Sequence, residues 1–255
     1  MTYRAYAKVN IFLKIVGKRE DYHEIISRFM AVESLFDTLE FKSKKTDREF
    51  ELVGNFGCDL KSNTIFKAYE NLKSEGYKQI LEEFFSSKAL HVEKNIPSFA
   101  GLGGGSSDAA TFLLMLNKEL SLGLSKDKLA QIGSRVGADV PFFIYELSSA
   151  NVSGIGEIVE EFDEEPLKVE VMTPNVECDT AKVYSEFRKN YMVEPHLAKK
   201  MAKMSSFELL DSFSPKALND LLKPALKVYP QLKEYLRNDW FFSGSGSSFF
   251  RILEE

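Results

Sequence analysis

Four of the fifteen glycines in this chain fall between positions 101 and 105, in Gly101-Leu102-Gly103-Gly104-Gly105-Ser106-Ser107-Asp108, immediately before an amphipathic helix pattern. Each ordered glycine costs roughly 0.5–1 kcal/mol more backbone entropy than alanine, so such a cluster marks a place where backbone approaches something closely. Phe112, Leu113, Leu116 and Leu120 share a face of the helix pattern, and Ser106, Ser107 and Asp108 at its start are capping candidates. Upstream, Leu90 and Val92 alternate with His91 and Glu93, which predicts a half-buried strand ending near Pro97. Strand, glycine loop and helix N-terminus together suit an anion, most simply a nucleotide polyphosphate, because free amides and the helix dipole favour negative charge. A flexible glycine-serine linker is the alternative for this composition. Two better-known phosphate loops fail by spelling: no lysine follows Gly105, and Ser106 stands where a dinucleotide fingerprint needs its third glycine.

The rest of the chain bounds the function. Its 255 residues can form one large domain or two smaller ones, and 44% hydrophobic with 28% charged residues is an ordinary globular composition. A net charge of −5 with no block of Lys and Arg argues against a nucleic-acid partner. Cys58 and Cys178 have neither metal-site spacing nor disulfide density, and His23, His91 and His196 are scattered, so reduced thiols in a cytoplasm are expected. No apolar run approaches the roughly 20 residues of a membrane helix, and Lys8, Asn10 and Lys14 interrupt what could be a secretion signal.

Val9, Ile11, Leu13 and Ile15 alternate with Lys8, Asn10, Phe12 and Lys14, which predicts a strand with Lys8 and Asn10 on one face, roughly 6.5–7 Å apart. From pattern alone that face reads as solvated surface. More sheet is expected over 29–41, a charged turn over 42–48, and a helix over 63–75 that Gly76 stops. Leu129, Ile132 and Val136 mark a helix after Ser125, and Pro141 biases Val140 towards extended backbone, placing Asp139 in a loop between helix and strand. A strand is expected over 167–173. Helices broken near Pro195, Pro215 and Pro230 follow, then a hairpin whose turn is Ser243-Gly244-Ser245-Gly246-Ser247-Ser248. The domain boundary is expected between 151 and 166, giving domains 1–155 and 156–255.

Three elements, in order, together resemble the GHMP kinase superfamily of small-molecule kinases: Ala7-Lys8-Val9-Asn10-Ile11-Phe12-Leu13, the stretch 97–111, and the stretch 242–249. The loop spelling, with Gly137-Ala138-Asp139-Val140-Pro141, is similar to the branch whose acceptor is a cytidine-diphosphate-linked methylerythritol. The resemblance implies an α+β fold of two domains with the active site in the interdomain cleft. It also implies ATP as co-substrate, Mg²⁺, phosphorylation of an acceptor hydroxyl to give a 2-phosphate, and a monomer or homodimer. Carried over by residue, it makes Lys8 and Asp139 the catalytic pair. The ATP loop becomes Pro97, Ser98, Phe99, Ala100, Gly101, Leu102, Gly103, Gly104, Gly105, Ser106 and Ser107. Asn10, Tyr22, His23 and Tyr184 become substrate contacts, with the metal ligands open among Ser106, Ser107 and Asp108. Where the family has Asp-Gly-Tyr-His, Asp21 here runs directly into Tyr22-His23, so that loop is expected to differ. Another kinase of the superfamily, such as a homoserine kinase, and a non-catalytic nucleotide-binding protein are the competing readings.

Overall fold

A computed structural model describes residues 1–253 and divides by backbone contact into two compact units. Unit 1 comprises 1–7, 33–98 and 104–146; of the described residues, unit 2 comprises 8–32, 99–103 and 147–253. This partition interleaves the chain, whereas the division at 155 expected from sequence is a single cut. The interleaving follows from two long strands, β1 (Thr2–Arg19) and β2 (Tyr22–Ser43), which contribute residues to both units.

In unit 1 the end of β2 pairs antiparallel with β4 (Lys88–Glu93), from Thr38↔Glu93 to Ser43↔Lys88, and the short β3 (Leu52–Val53) pairs parallel with β4. Helices α1 (Thr64–Leu72), α2 (Lys78–Ser87), α3 (Gly104–Glu119), α4 (Lys126–Ser134) and α5 (Val140–Tyr145) complete the unit. Asn63 caps α1 by accepting from the Ile65 N–H, and Ser125 caps α4 by accepting from the Lys128 N–H. The core is strongly aromatic: Phe50 stacks on Tyr69 at 4.5 Å and meets Phe85 edge-on at 4.8 Å. Leu72, Leu81, Phe112, Leu116, Leu129 and Ile144 close around these rings.

Two expectations change here. Gly76, with φ of 99°, does break the helical backbone, but it lies within a π-type turn (Lys73–Tyr77) after α1 through which the chain continues into α2. The segment after Asp139 is the helix α5 and not a strand. Pro141 occupies its first turn, where no backbone donor is needed, and this outweighs the extended bias on Val140.

In unit 2 the start of β2 pairs antiparallel with β5 (Ser149–Gly154), from Ile25↔Gly154 to Met30↔Ser149, and β5 pairs with β6 (Ile158–Glu161). A separate three-stranded sheet has the order β7 (Val169–Met172), β9 (Phe249–Ile252), β8 (Phe241–Phe242). Phe242 opposite Phe249 closes the expected hairpin. The helices are α6 (Thr180–Asn190), α7 (Pro195–Met201), α8 (Ser206–Ser212), α9 (Pro215–Leu218) and α10 (Leu222–Val228), followed by a 3₁₀ turn at Pro230–Tyr235. Pro195, Pro215 and Pro230 each lie in the first turn of such an element, so they start helices as well as ending the preceding ones. Leu13, Ile15, Val183, Phe187, Leu222, Ala225, Phe242 and Phe249 form the core. Arg28 is buried here too, its guanidinium bonded to Asn151, Glu164, Ser206 and the carbonyls of Ala202 and Met204. Those partners satisfy a charge that could not otherwise be buried.

Candidate active site

Both faces of β1 are buried over 7–15, so Lys8 and Asn10, at 3% and 2% exposure, are not the solvated surface that their alternation suggested. Lys8 Nζ donates to Asn10 Oδ1 at 2.6 Å and to the carbonyl of Gly101 at 3.2 Å, and it lies 4.4 Å from the centre of the Phe29 ring. Its backbone N–H donates to the carbonyl of Leu102 at 2.9 Å. Unit 2 therefore brings the strand-borne lysine against the first part of the glycine loop. Charge-assisted bonds and a cation-on-ring contact hold the ammonium in a defined position.

The loop backbone is left-handed at Phe99 (φ 54°), Gly101 (φ 73°) and Gly103 (φ 73°). A Cβ on Gly101 would lie 2.2 Å from the carbonyl oxygen of Ser243, so glycine is required there on two counts. The turn between β8 and β9 presses on this loop: Ser243 Oγ donates to the Gly101 carbonyl, and the Ser248 N–H donates to the carbonyl of Ala100. Asn219 pins that turn from beneath, its Nδ2 donating to the carbonyls of Phe242 at 2.8 Å and Gly244 at 3.0 Å. The stretch read from sequence as a simple hairpin turn is thus also the support of the glycine loop.

In unit 1, α3 starts at Gly104, before the serines expected to cap it, so Ser106 and Ser107 lie in its first turn. A Cβ on Gly104 would come within 2.8 Å of Ile96 Cγ2, and Thr64 Oγ1 donates to the Gly105 carbonyl at 2.6 Å. The amides of 104–107 belong to the turn whose N–H groups have no intrahelical acceptor, a site suited to anionic oxygens. Pro97, Ser98, Phe99 and Gly105 are exposed, whereas Ala100 and Leu102 are buried and serve the loop through their backbone.

The corner Gly137-Ala138-Asp139 lies beside this turn: Ser106 Oγ is 3.6 Å from where a Cβ on Gly137 would be. Asp139 is half-buried and stands at the N-cap position of α5 with helical backbone angles, its side chain making no capping bond. Nearby, Lys94 bridges Asp37 and Asp108, with its Nζ 2.6 Å from Asp108 Oδ2. Burial pushes the Asp108 carboxyl up to about 7, against the pull of Lys94. Among the described residues no cluster of three or more His, Cys, Asp or Glu is arranged for a metal.

The residues assigned to a base-binding subsite do not all meet. The rings of His23 and Tyr184 lie 5.1 Å apart with planes tilted by 31°, and Phe187 meets His23 edge-on at 6.0 Å. Tyr22 is 62% exposed. The turn joining β1 to β2 places the left-handed residue at Glu20 (φ 54°), ahead of Asp21, so the conformation that a glycine after Asp21 would permit is taken elsewhere. Ser27, Lys94 and Asn219 escaped the sequence reading. Ser27 had a detectable signal as the lone hydroxyl at period two between Ile25 and Phe29.

Residues 63–146 match the family described as GHMP kinases N terminal domain. A 4-diphosphocytidyl-2-C-methyl-D-erythritol kinase of Sulfurimonas denitrificans is 54% identical over 99% of this chain and 97% of its own. The proteins of that name from Campylobacter jejuni and Helicobacter pylori are 45% and 42% identical, each over 98% of this chain and over 99% and 96% of their own. A solved 4-(cytidine 5'-diphospho)-2C-methyl-D-erythritol kinase superposes with a TM-score of 0.72 at 30% identity, covering 100% of this chain and 90% of that one. The Methanococcus jannaschii mevalonate kinase, at 17% identity and a TM-score of 0.62 over 100% of this chain and 90% of its own, shares the fold.

Proposed function

Because this chain belongs to the 4-diphosphocytidyl-2-C-methyl-D-erythritol kinase family of the GHMP kinases, we propose that it moves the γ-phosphoryl group of ATP onto a hydroxyl of that cytidine-linked alcohol. The product is the 2-phosphate, an intermediate on the non-mevalonate route to isoprenoid precursors. The observation that carries the reading is the buried Lys8 ammonium, held by Asn10 Oδ1 and the Gly101 carbonyl at the foot of the glycine loop. A surface lysine has no reason to lie there.

In this reading the acceptor oxygen attacks phosphorus as the bond to the departing ADP oxygen breaks, and Asp139 takes the hydroxyl proton. Lys8 stabilises negative charge on the transferred group, and the amides of 104–107 hold the remaining phosphate oxygens. His23 and Tyr184 grip the cytosine, the ring by stacking and the imidazole by its polar edge. Asn10 acts chiefly by orienting Lys8, since both ends of its amide are bonded within the protein.

Mg²⁺ fits the site as an ion carried mainly by phosphate oxygens and water, which suits the absence of an acidic cage among the described residues. It would neutralise phosphate charge. Of the three residues left open, Ser106 is the one with solvent access; Ser107 and Asp108 are 1% and 2% exposed, and the Asp108 carboxylate is engaged by Lys94. Cytoplasmic residence belongs to the same proposal and accords with two unpaired thiols and with no described helix long and apolar enough to cross a membrane.

The test is ADP release with the cytidine-linked acceptor, homoserine and mevalonate offered separately. Turnover with the first alone is expected. Preference for either of the others would reject the substrate assignment, and no turnover with any would reject kinase activity.

A further inference from the structure

We propose that Ser27 is a positioning residue for phosphoryl transfer, fixing the Asn10 amide so that its oxygen faces the Lys8 ammonium; this rests on the reading that Lys8 acts on the transferred group. Ser27 lies on β2 with no solvent exposure, two residues from Phe29 and on the same strand face. Its hydroxyl donates to the backbone carbonyl of Phe12 and accepts from Asn10 Nδ2 at 3.0 Å.

A serine hydroxyl has one proton, and here Phe12 takes it. Towards Asn10, Ser27 can only accept, so Asn10 must present its NH₂ group to Ser27 and its oxygen to the other side. That oxygen is the 2.6 Å partner of Lys8 Nζ. With the amide reversed, an NH₂ group would face an ammonium, donor against donor. The backbone of β1 therefore dictates, through one hydroxyl and one amide, where a catalytic charge sits. Phe29, 4.4 Å from the same ammonium, and the Gly101 carbonyl also contact it and limit the freedom of a long, flexible side chain. Being fully buried, Ser27 acts through Lys8 and not on either substrate.

The experiment is a double-mutant cycle on kcat and KM with Ser27→Ala, Lys8→Met and the pair, each checked by thermal melting. Ser27→Ala is expected to lower kcat about 10-fold, the scale of one lost hydrogen bond near charge, with both KM values within about 2-fold of the parent. In the Lys8→Met background the same change is expected to cost nothing further, because the group it positions is gone. Equal losses in both backgrounds, or a raised KM with unchanged kcat, would overturn the proposal. A Lys8→Met enzyme with normal kcat would overturn the underlying role of Lys8, and this inference with it. Should Ser27→Ala not fold, Ser27→Cys, nearly isosteric but a weak hydrogen-bonding group, goes through the same cycle; a smaller loss confined to the Lys8 background is expected, and parental kcat would reject the idea.

Discussion

The imidazole of His23 faces the ring of Tyr184 at 5.1 Å, in a partly buried position with the positive charges of Arg188 and Lys18 nearby. Burial is the largest cause and the two cations add to it, so the His23 pKa falls below its ordinary 6.5. The folded protein holds His23 neutral where the unfolded chain begins to take up a proton. Stability linked to this group is therefore complete above about 6.5 and is lost as pH falls towards the lowered value. His23→Gln should show a shallower fall in Tm between pH 7 and pH 5 than the parent. Parallel Tm curves for the two proteins would contradict the assignment.

Asp139→Asn should fold normally and lower kcat by at least ~10², the scale for removing a general base. ATP affinity, measured by titration calorimetry, should stay within a few-fold of the parent. Near-parental turnover would show that the proton goes elsewhere.

Gly101→Ala places a methyl 2.2 Å from the Ser243 carbonyl at a backbone φ of 73°. The loop or the turn beneath it must move, with a stability cost of about 1–3 kcal/mol. We expect a lower Tm together with a raised KM for ATP. A lower Tm without a change in KM would separate the loop from nucleotide binding.

Asn219→Ala removes the donors to Phe242 and Gly244 and the acceptor of the Leu221 N–H, leaving buried backbone groups unpaired at about 1–3 kcal/mol each. The expected signature in denaturant titration is a lower midpoint with unchanged m, accompanied by weaker ATP binding. A midpoint equal to the parent's would mean that the turn holds itself.

How far the sequence reaches depends on the range of each interaction. The glycine loop, the strand over 8–15 and the helices that begin near Asn63 and after Ser125 rest on neighbours a few residues away and are legible. Gly76 is legible as a break, yet the helix beyond it is not, although Leu81 and Phe85 stand at helical spacing. Lys8 is the instructive failure: alternation puts it on a polar face, whereas contacts such as those with the carbonyl of Gly101, the ring of Phe29 and the amide of Asn10 help to make burial of that charge tolerable. The ring pair of His23 and Tyr184 likewise depends on residues distant in sequence. Of the site residues, Tyr22 gains least from folding, standing 62% exposed.

The fit of Gly101 against the turn at 243–246 leaves no atom to spare, since a Cβ on Gly244 would in its turn lie 3.1 Å from the Gly101 oxygen. Two segments more than a hundred positions apart therefore behave as a single structural part. Anyone transplanting this glycine loop into a new scaffold, or diversifying either segment in a library, must carry or vary both together.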